Sequence, residues 1–102
     1  MQKFDYRSPR FAVDLPARLT TPNATLIGRC VDIGNEGLRL ELDQSLPPDA
    51  CGTLSLFCRD RILEVRVRVA QAGASQGRME FIYTCQSERS VVQDLLASLA
   101  KP

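Results

Sequence analysis

The chain has 102 residues, a length that fits one domain around one core. With 44% hydrophobic and 25% charged residues its composition is that of a globular protein and excludes a disordered, coiled-coil or collagen-like chain. A formal net charge of +1 gives no sign of the strongly basic face that duplex DNA requires, so any anion site must be local.

The N-terminus, MQKFDYRSPRF, carries charge where a secretory signal would be apolar, and no apolar run approaches the roughly 20 residues that span a bilayer. A cytoplasmic protein without membrane contact is therefore expected. Residues 1–10 lack apolar periodicity and are expected to form a flexible segment ahead of the fold.

From residue 11 the pattern has a period of two. Phe11, Val13, Leu15, Ala17 and Leu19 alternate with Ala12, Asp14, Pro16 and Arg18, as in a strand with one buried face. Pro16 cannot donate a ladder hydrogen bond, which predicts an edge or a bulge there. Pro22 and Asn23 mark a turn, and a second strand follows over residues 26–33, with Leu26, Gly28, Cys30 and Asp32 on one side and Ile27, Arg29, Val31 and Ile33 on the other. The Asn35-Glu36-Gly37 tripeptide tolerates positive φ and predicts a tight hairpin into a third strand, residues 38–42.

Pro47 and Pro48 interrupt the pattern before a fourth strand over residues 51–58. Residues 62–70 give the longest alternation, with Leu63, Val65, Val67 and Val69 opposite Ile62, Glu64, Arg66, Arg68 and Ala70. Arg66 and Arg68 read as a solvated strand face. A loop over residues 73–77 leads to a sixth strand, residues 78–83. Ser87 is placed to cap a helix over residues 87–100, whose Val91, Val92, Leu95, Leu96 and Leu99 make one apolar stripe. Six strands over residues 11–83 and one terminal helix predict a mainly β domain: a six-stranded antiparallel barrel with the helix on its surface, spanning residues 1–102.

Four cysteines, Cys30, Cys51, Cys58 and Cys85, stand without a CxxC pair, and there is no histidine. The usual zinc spacings are therefore missing, no metal or cofactor is expected, and the thiols read as small, reduced, apolar residues. A nucleophile would lack a histidine to activate it, and GxGxxG, GxxxxGK[ST] and GxSxG are all missing, so a catalytic role has nothing to rest on.

Two segments stand apart from the strand pattern: Tyr6-Arg7-Ser8-Pro9-Arg10 before the first strand, and Asp32-Ile33-Gly34-Asn35-Glu36-Gly37 at the turn after the second. Together with the strand order and terminal helix they make the chain similar to the PilZ domain family, over nearly its whole length. The resemblance implies a PilZ-like β-barrel of bacterial origin that binds the second messenger cyclic di-GMP through an RxxxR segment and a [D/N]xSxxG turn. Arg10 matches the second arginine. Tyr6 stands where the first is expected, with Arg7 adjacent. Asp32 and Gly37 match the turn, and Gly34 stands at the serine.

Carried over residue by residue, the implied nucleotide-binding residues are Tyr6, Arg7, Arg10, Asp32, Gly34, Asn35 and Gly37. The pattern suits the ligand: guanidinium groups give bidentate hydrogen bonds to phosphate and to the O6/N7 edge of guanine, and an aromatic ring stacks on a base. The resemblance implies a non-catalytic receptor or effector relaying the signal to a protein partner, in a family whose outputs include motility, pili and exopolysaccharide synthesis. The runner-up is an adaptor that does not bind cyclic di-GMP and works through protein contacts alone, and a homodimer is left open. An RNA- or single-strand-binding barrel is disfavoured by 6% aromatic residues and near-zero net charge.

Overall fold

The alternation of residues 62–70 is realised in full: Leu63, Val65, Val67 and Val69 are buried, while Ile62, Glu64 and Arg66 stand in solvent. The same period organises the other strands of the computed structural model, which describes residues 10–44, 46, 49–59, 61–73 and 76–100. Strands β1 (Phe11–Thr20), β2 (Thr25–Ile33), β3 (Gly37–Leu42), β4 (Cys51–Cys58), β5 (Arg61–Ala72) and β6 (Gln76–Ile82) precede helix α1 (Gln86–Ala100). All neighbours are antiparallel, and the order β1-β2-β3-β6-β5-β4 closes on itself through β1 and β4. Closure gives every strand two neighbours and leaves no open edge. The expected six-stranded antiparallel barrel with a C-terminal helix is thus the fold observed.

The interior is filled by leucine and valine, with Leu19, Leu40, Leu54, Leu56 and Val67 nearly inaccessible. Each such side chain contributes about 1.5–3 kcal/mol of burial. Helix α1 lies on the barrel against β1 and β5 and buries Val92, Leu95 and Leu96. Val91, expected in the same stripe, is exposed.

Three local expectations are corrected. The alternation sets Ile33 opposite Cys30, yet both are buried, because the β2–β3 register shifts between Cys30 and Asp32 and re-aims the strand by one residue. Gly37 does not have positive φ, nor does any other described glycine. Its requirement is space: a Cβ there would lie 2.0 Å from the main-chain oxygen of Met79 across the β3–β6 ladder. Ser87 does not cap the helix. The cap is the Glu88 carboxylate, which accepts hydrogen bonds from the Thr84 N–H at 2.7 Å and the Thr84 hydroxyl at 2.9 Å.

Pro16 sits between a register shift at residues 12–15 and the start of the β1–β4 ladder at Ala17, so the bulge expected beside it is present. Among the cysteines Cys30 is buried, Cys58 half-buried, and Cys51 and Cys85 exposed, all four as free thiols. The reading as packing residues therefore fits Cys30 and fails for Cys51 and Cys85.

Candidate functional site

The β2 bulge turns Asp32 toward the outer face, half-buried, at the mouth of the β2–β3 hairpin. Arg10, the residue before β1, reaches it: its Nε–H donates to Asp32 Oδ1 at 3.0 Å. The two motif segments, 22 residues apart, are thereby joined. With both side chains partly solvated the pair is worth at most about 1 kcal/mol of stability. Its consequence is positional. The guanidinium is tethered through Nε, and its terminal nitrogens meet no other partner among the described residues.

The turn between β2 and β3 is tightly held. The Gly34 N–H donates to the Gly37 carbonyl at 2.9 Å, and the Phe81 N–H donates to the Glu36 carbonyl at 2.9 Å. Gly34 is buried and Asn35 half-buried, and the Asn35 carbonyl accepts the Tyr83 hydroxyl at 2.8 Å. Gly37 opens β3 against β6 at the close approach described above. Arg10, Asp32, Gly34, Asn35 and Gly37 are thus gathered around one hairpin mouth. Tyr6 and Arg7 lie outside the described residues, as does the segment expected to be flexible apart from Arg10.

A cleft of about 80 Å³ opens beside the hairpin, and its lining includes Arg10, Glu36, Gly37, Arg78 and Glu80. The charges within it balance, two guanidinium groups against two carboxylates. Glu80 is itself paired with Arg68, which also reaches Asp49 at 3.2 Å. Arg68 is accordingly part of an ion-pair network rather than a free solvated side chain.

Three contributors escaped the sequence reading. Tyr83 anchors the turn through Asn35, and its ring carries the Arg89 guanidinium 4.4 Å above it. Burial pushes the Tyr83 hydroxyl up to about 12, which keeps it a neutral donor. Arg39 stands opposite Asp32 across β2–β3, and Arg78 stands opposite Arg39 across β3–β6, so Asp32, Arg39 and Arg78 form one row. The β2–β3 hairpin sets Arg39 beside Asp32 and the strand order adds Arg78 from β6; no local motif marks them.

Among the described residues no group of three His, Cys, Asp or Glu side chains is placed to hold a metal ion. No described helix is long and apolar enough to cross a membrane.

The profile of the PilZ domain family matches residues 5–99. The crystal structure of the PilZ domain of CeSA from a cellulose-synthesizing bacterium superposes with a TM-score of 0.79 at 16% identity, covering 92% of this chain and 100% of that one. The Bacillus subtilis inhibitor of motility MotI/DgrA gives a TM-score of 0.72 at 13% identity, covering 96% of this chain and 52% of that one, so the chain spans about half its length. The uncharacterized Legionella protein Lpg0364 gives 0.63 at 20% identity, covering 88% and 91%. Among curated proteins no sequence gives a significant match.

Proposed function

Because the chain belongs to the PilZ domain family, whose members are generally cyclic di-GMP receptors or adaptors and typically non-catalytic, we propose that it is a cyclic di-GMP receptor that relays the signal to a partner protein. The observation that carries this reading is the Arg10–Asp32 pair beside the turn of residues 34–37. It unites the two matching motif positions and supports a guanidinium tethered where a phosphate or the guanine O6/N7 edge would be met. Tyr6 and Arg7 belong to the same segment and are proposed to close over the ligand, Tyr6 by stacking and Arg7 by charge.

A second reading is favoured by Tyr6 and Gly34, which stand where the family signature has arginine and serine. An absent charge-assisted contact costs about 1.5–3 kcal/mol and an absent hydroxyl contact about 0.5–1.5 kcal/mol. Together they would carry a micromolar site to between tens of micromolar and low millimolar, which would leave an adaptor acting through protein contacts.

Calorimetric titration with cyclic di-GMP separates the two. Saturable heat below about a hundred micromolar ligand supports the receptor; no heat at several hundred micromolar supports the adaptor.

For the relay, Tyr83 offers a route. It touches the site through Asn35 and the first turns of α1 through Arg89, so a ligand that shifts the turn alters the seat of the helix.

A further inference from the structure

Arg39 and Arg78 face each other directly across the β3–β6 ladder, both exposed. Like charges at directly opposed positions repel and destabilise a strand pair. Of the neighbouring carboxylates, Asp32 is paired with Arg10 and Glu80 with Arg68, Glu41 accepts from the Gln76 side-chain amide at 3.3 Å, and Glu36 shares the hairpin cleft with Arg78 without forming an ion pair to it. Neither arginine has a carboxylate partner among the described residues.

The pair borders a second cleft, of about 330 Å³, separate from the one beside the hairpin except that Arg78 lines both. Its lining comprises Arg39, Arg78, Gln71, Gln76 and the small residues Ala72, Gly73 and Gly77. Among the described residues it therefore gathers two guanidinium groups and no carboxylate, in contrast to the balanced charges of its neighbour. The volume exceeds what a phosphoryl group needs and lies at the low end of small-ligand sites.

We infer that Arg39 and Arg78 form a phosphate-binding site on the outer face of β3 and β6. Two guanidinium forks on one strand pair match the oxygens of a phosphoryl group, and its negative charge removes the repulsion that opposes their pairing. The Gln71 side chain, beside the β5 bulge and in register with Arg78, adds an uncharged donor. The site stands on this pair and cleft and does not require the ligand assignment above. Its phosphoryl group has two sources, the phosphodiester of a dinucleotide held at the hairpin or a separate phosphomonoester.

The test is a titration of the 15N-labelled chain with inorganic phosphate against a chloride control at constant ionic strength. Saturable shifts are expected at the amides of Gln71, Gly73 and Gly77, with a midpoint in the millimolar range. Arg39→Gln/Arg78→Gln should weaken the response by at least about tenfold while keeping native amide dispersion, since it removes a repulsive pair. Arg39→Lys/Arg78→Lys, which retains charge and loses the forks, should fall between, and Arg10→Ala should leave it unchanged. Shifts that do not saturate, or that survive in the glutamine double variant, overturn the site. Cyclic di-GMP titrated into the same variant then assigns the source: a matching loss of affinity makes the phosphoryl group the dinucleotide's, and no loss makes it a separate phosphomonoester. A chain that titrates with phosphate and ignores cyclic di-GMP keeps this site and loses the receptor reading; the reverse outcome loses this site alone.

Discussion

The hydroxyl of Tyr83 donates a 2.8 Å hydrogen bond to the main-chain carbonyl of Asn35, 48 residues earlier in the chain. This bond fixes the hairpin mouth on which Arg10 and Asp32 meet to the end of β6, where the ring also packs 5.7 Å from Phe81. Tyr83→Phe should therefore loosen the turn while preserving the ring contacts. The expected loss is about 0.5–1.5 kcal/mol in urea unfolding, with faster amide exchange across residues 34–37. The raised ionisation of Tyr83 sets the sign of the alkaline dependence: the contribution is complete below the ordinary tyrosine value near 10 and fades as pH rises toward about 12. The phenylalanine variant should lack this component.

Gly34 and Gly37 should respond differently to added side chains. At Gly37 a Cβ would lie 2.0 Å from the Met79 oxygen, so Gly37→Ala must push β3 from β6 and should cost about 1–3 kcal/mol or more. At Gly34 the backbone has no positive φ, so serine carries no conformational penalty of that kind. Tyr6→Arg/Gly34→Ser, which restores the family signature, should stay folded and gain roughly 10- to 1,000-fold in cyclic di-GMP affinity. A folded double variant that binds no better than the parent would show that these segments are misregistered.

Thiol reactivity should follow environment. Burial pushes the Cys30 thiol up to about 11, whereas hydrogen bonding to the Ser87 hydroxyl and then to the Glu88 backbone holds the exposed Cys85 thiol below its ordinary value. Timed iodoacetamide labelling near neutral pH, read by peptide mass spectrometry, should modify Cys85 first and Cys30 last. Equal rates in the folded protein would contradict this, and a disulfide between any two of the four would contradict their reading as free thiols.

The helix cap should titrate in acid. Hydrogen bonds from the Thr84 backbone and then its hydroxyl hold the Glu88 carboxyl below the usual carboxylate range. Because the folded value is depressed, the cap contributes fully above about pH 4.3 and is lost as pH falls through the lower folded value. Glu88→Gln should lower Tm at neutral pH and show a smaller further loss on acidification than the parent. Parallel Tm profiles would contradict the assignment.

The parts of the fold that were legible are those written in local period. Leu63 to Val69 at every second position, and Val92, Leu95 and Leu96 at helical spacing, announce their faces without knowledge of any partner. Ile33 was not legible because the bulge inserts its extra residue in the backbone, which leaves no trace in an alternation that otherwise continues. The Glu88 cap was hidden because it reaches back four residues to Thr84 rather than the usual three. The site divides in the same way. Arg10 and Asp32 are marked by motif spacing and Arg39 joins Asp32 across the β2–β3 hairpin, whereas Tyr83 and Arg78 join them only through the strand order, which brings β6 beside β3 across the 33 residues between Leu42 and Gln76.

The most direct test of the receptor reading is a chemical-shift map of cyclic di-GMP on the parent chain and on Arg10→Ala. Saturable shifts centred on Arg10 and residues 32–37 are expected in the parent, with at least about tenfold weaker binding once the guanidinium is removed. Shifts absent at several hundred micromolar ligand, or a map unchanged by Arg10→Ala, would contradict it.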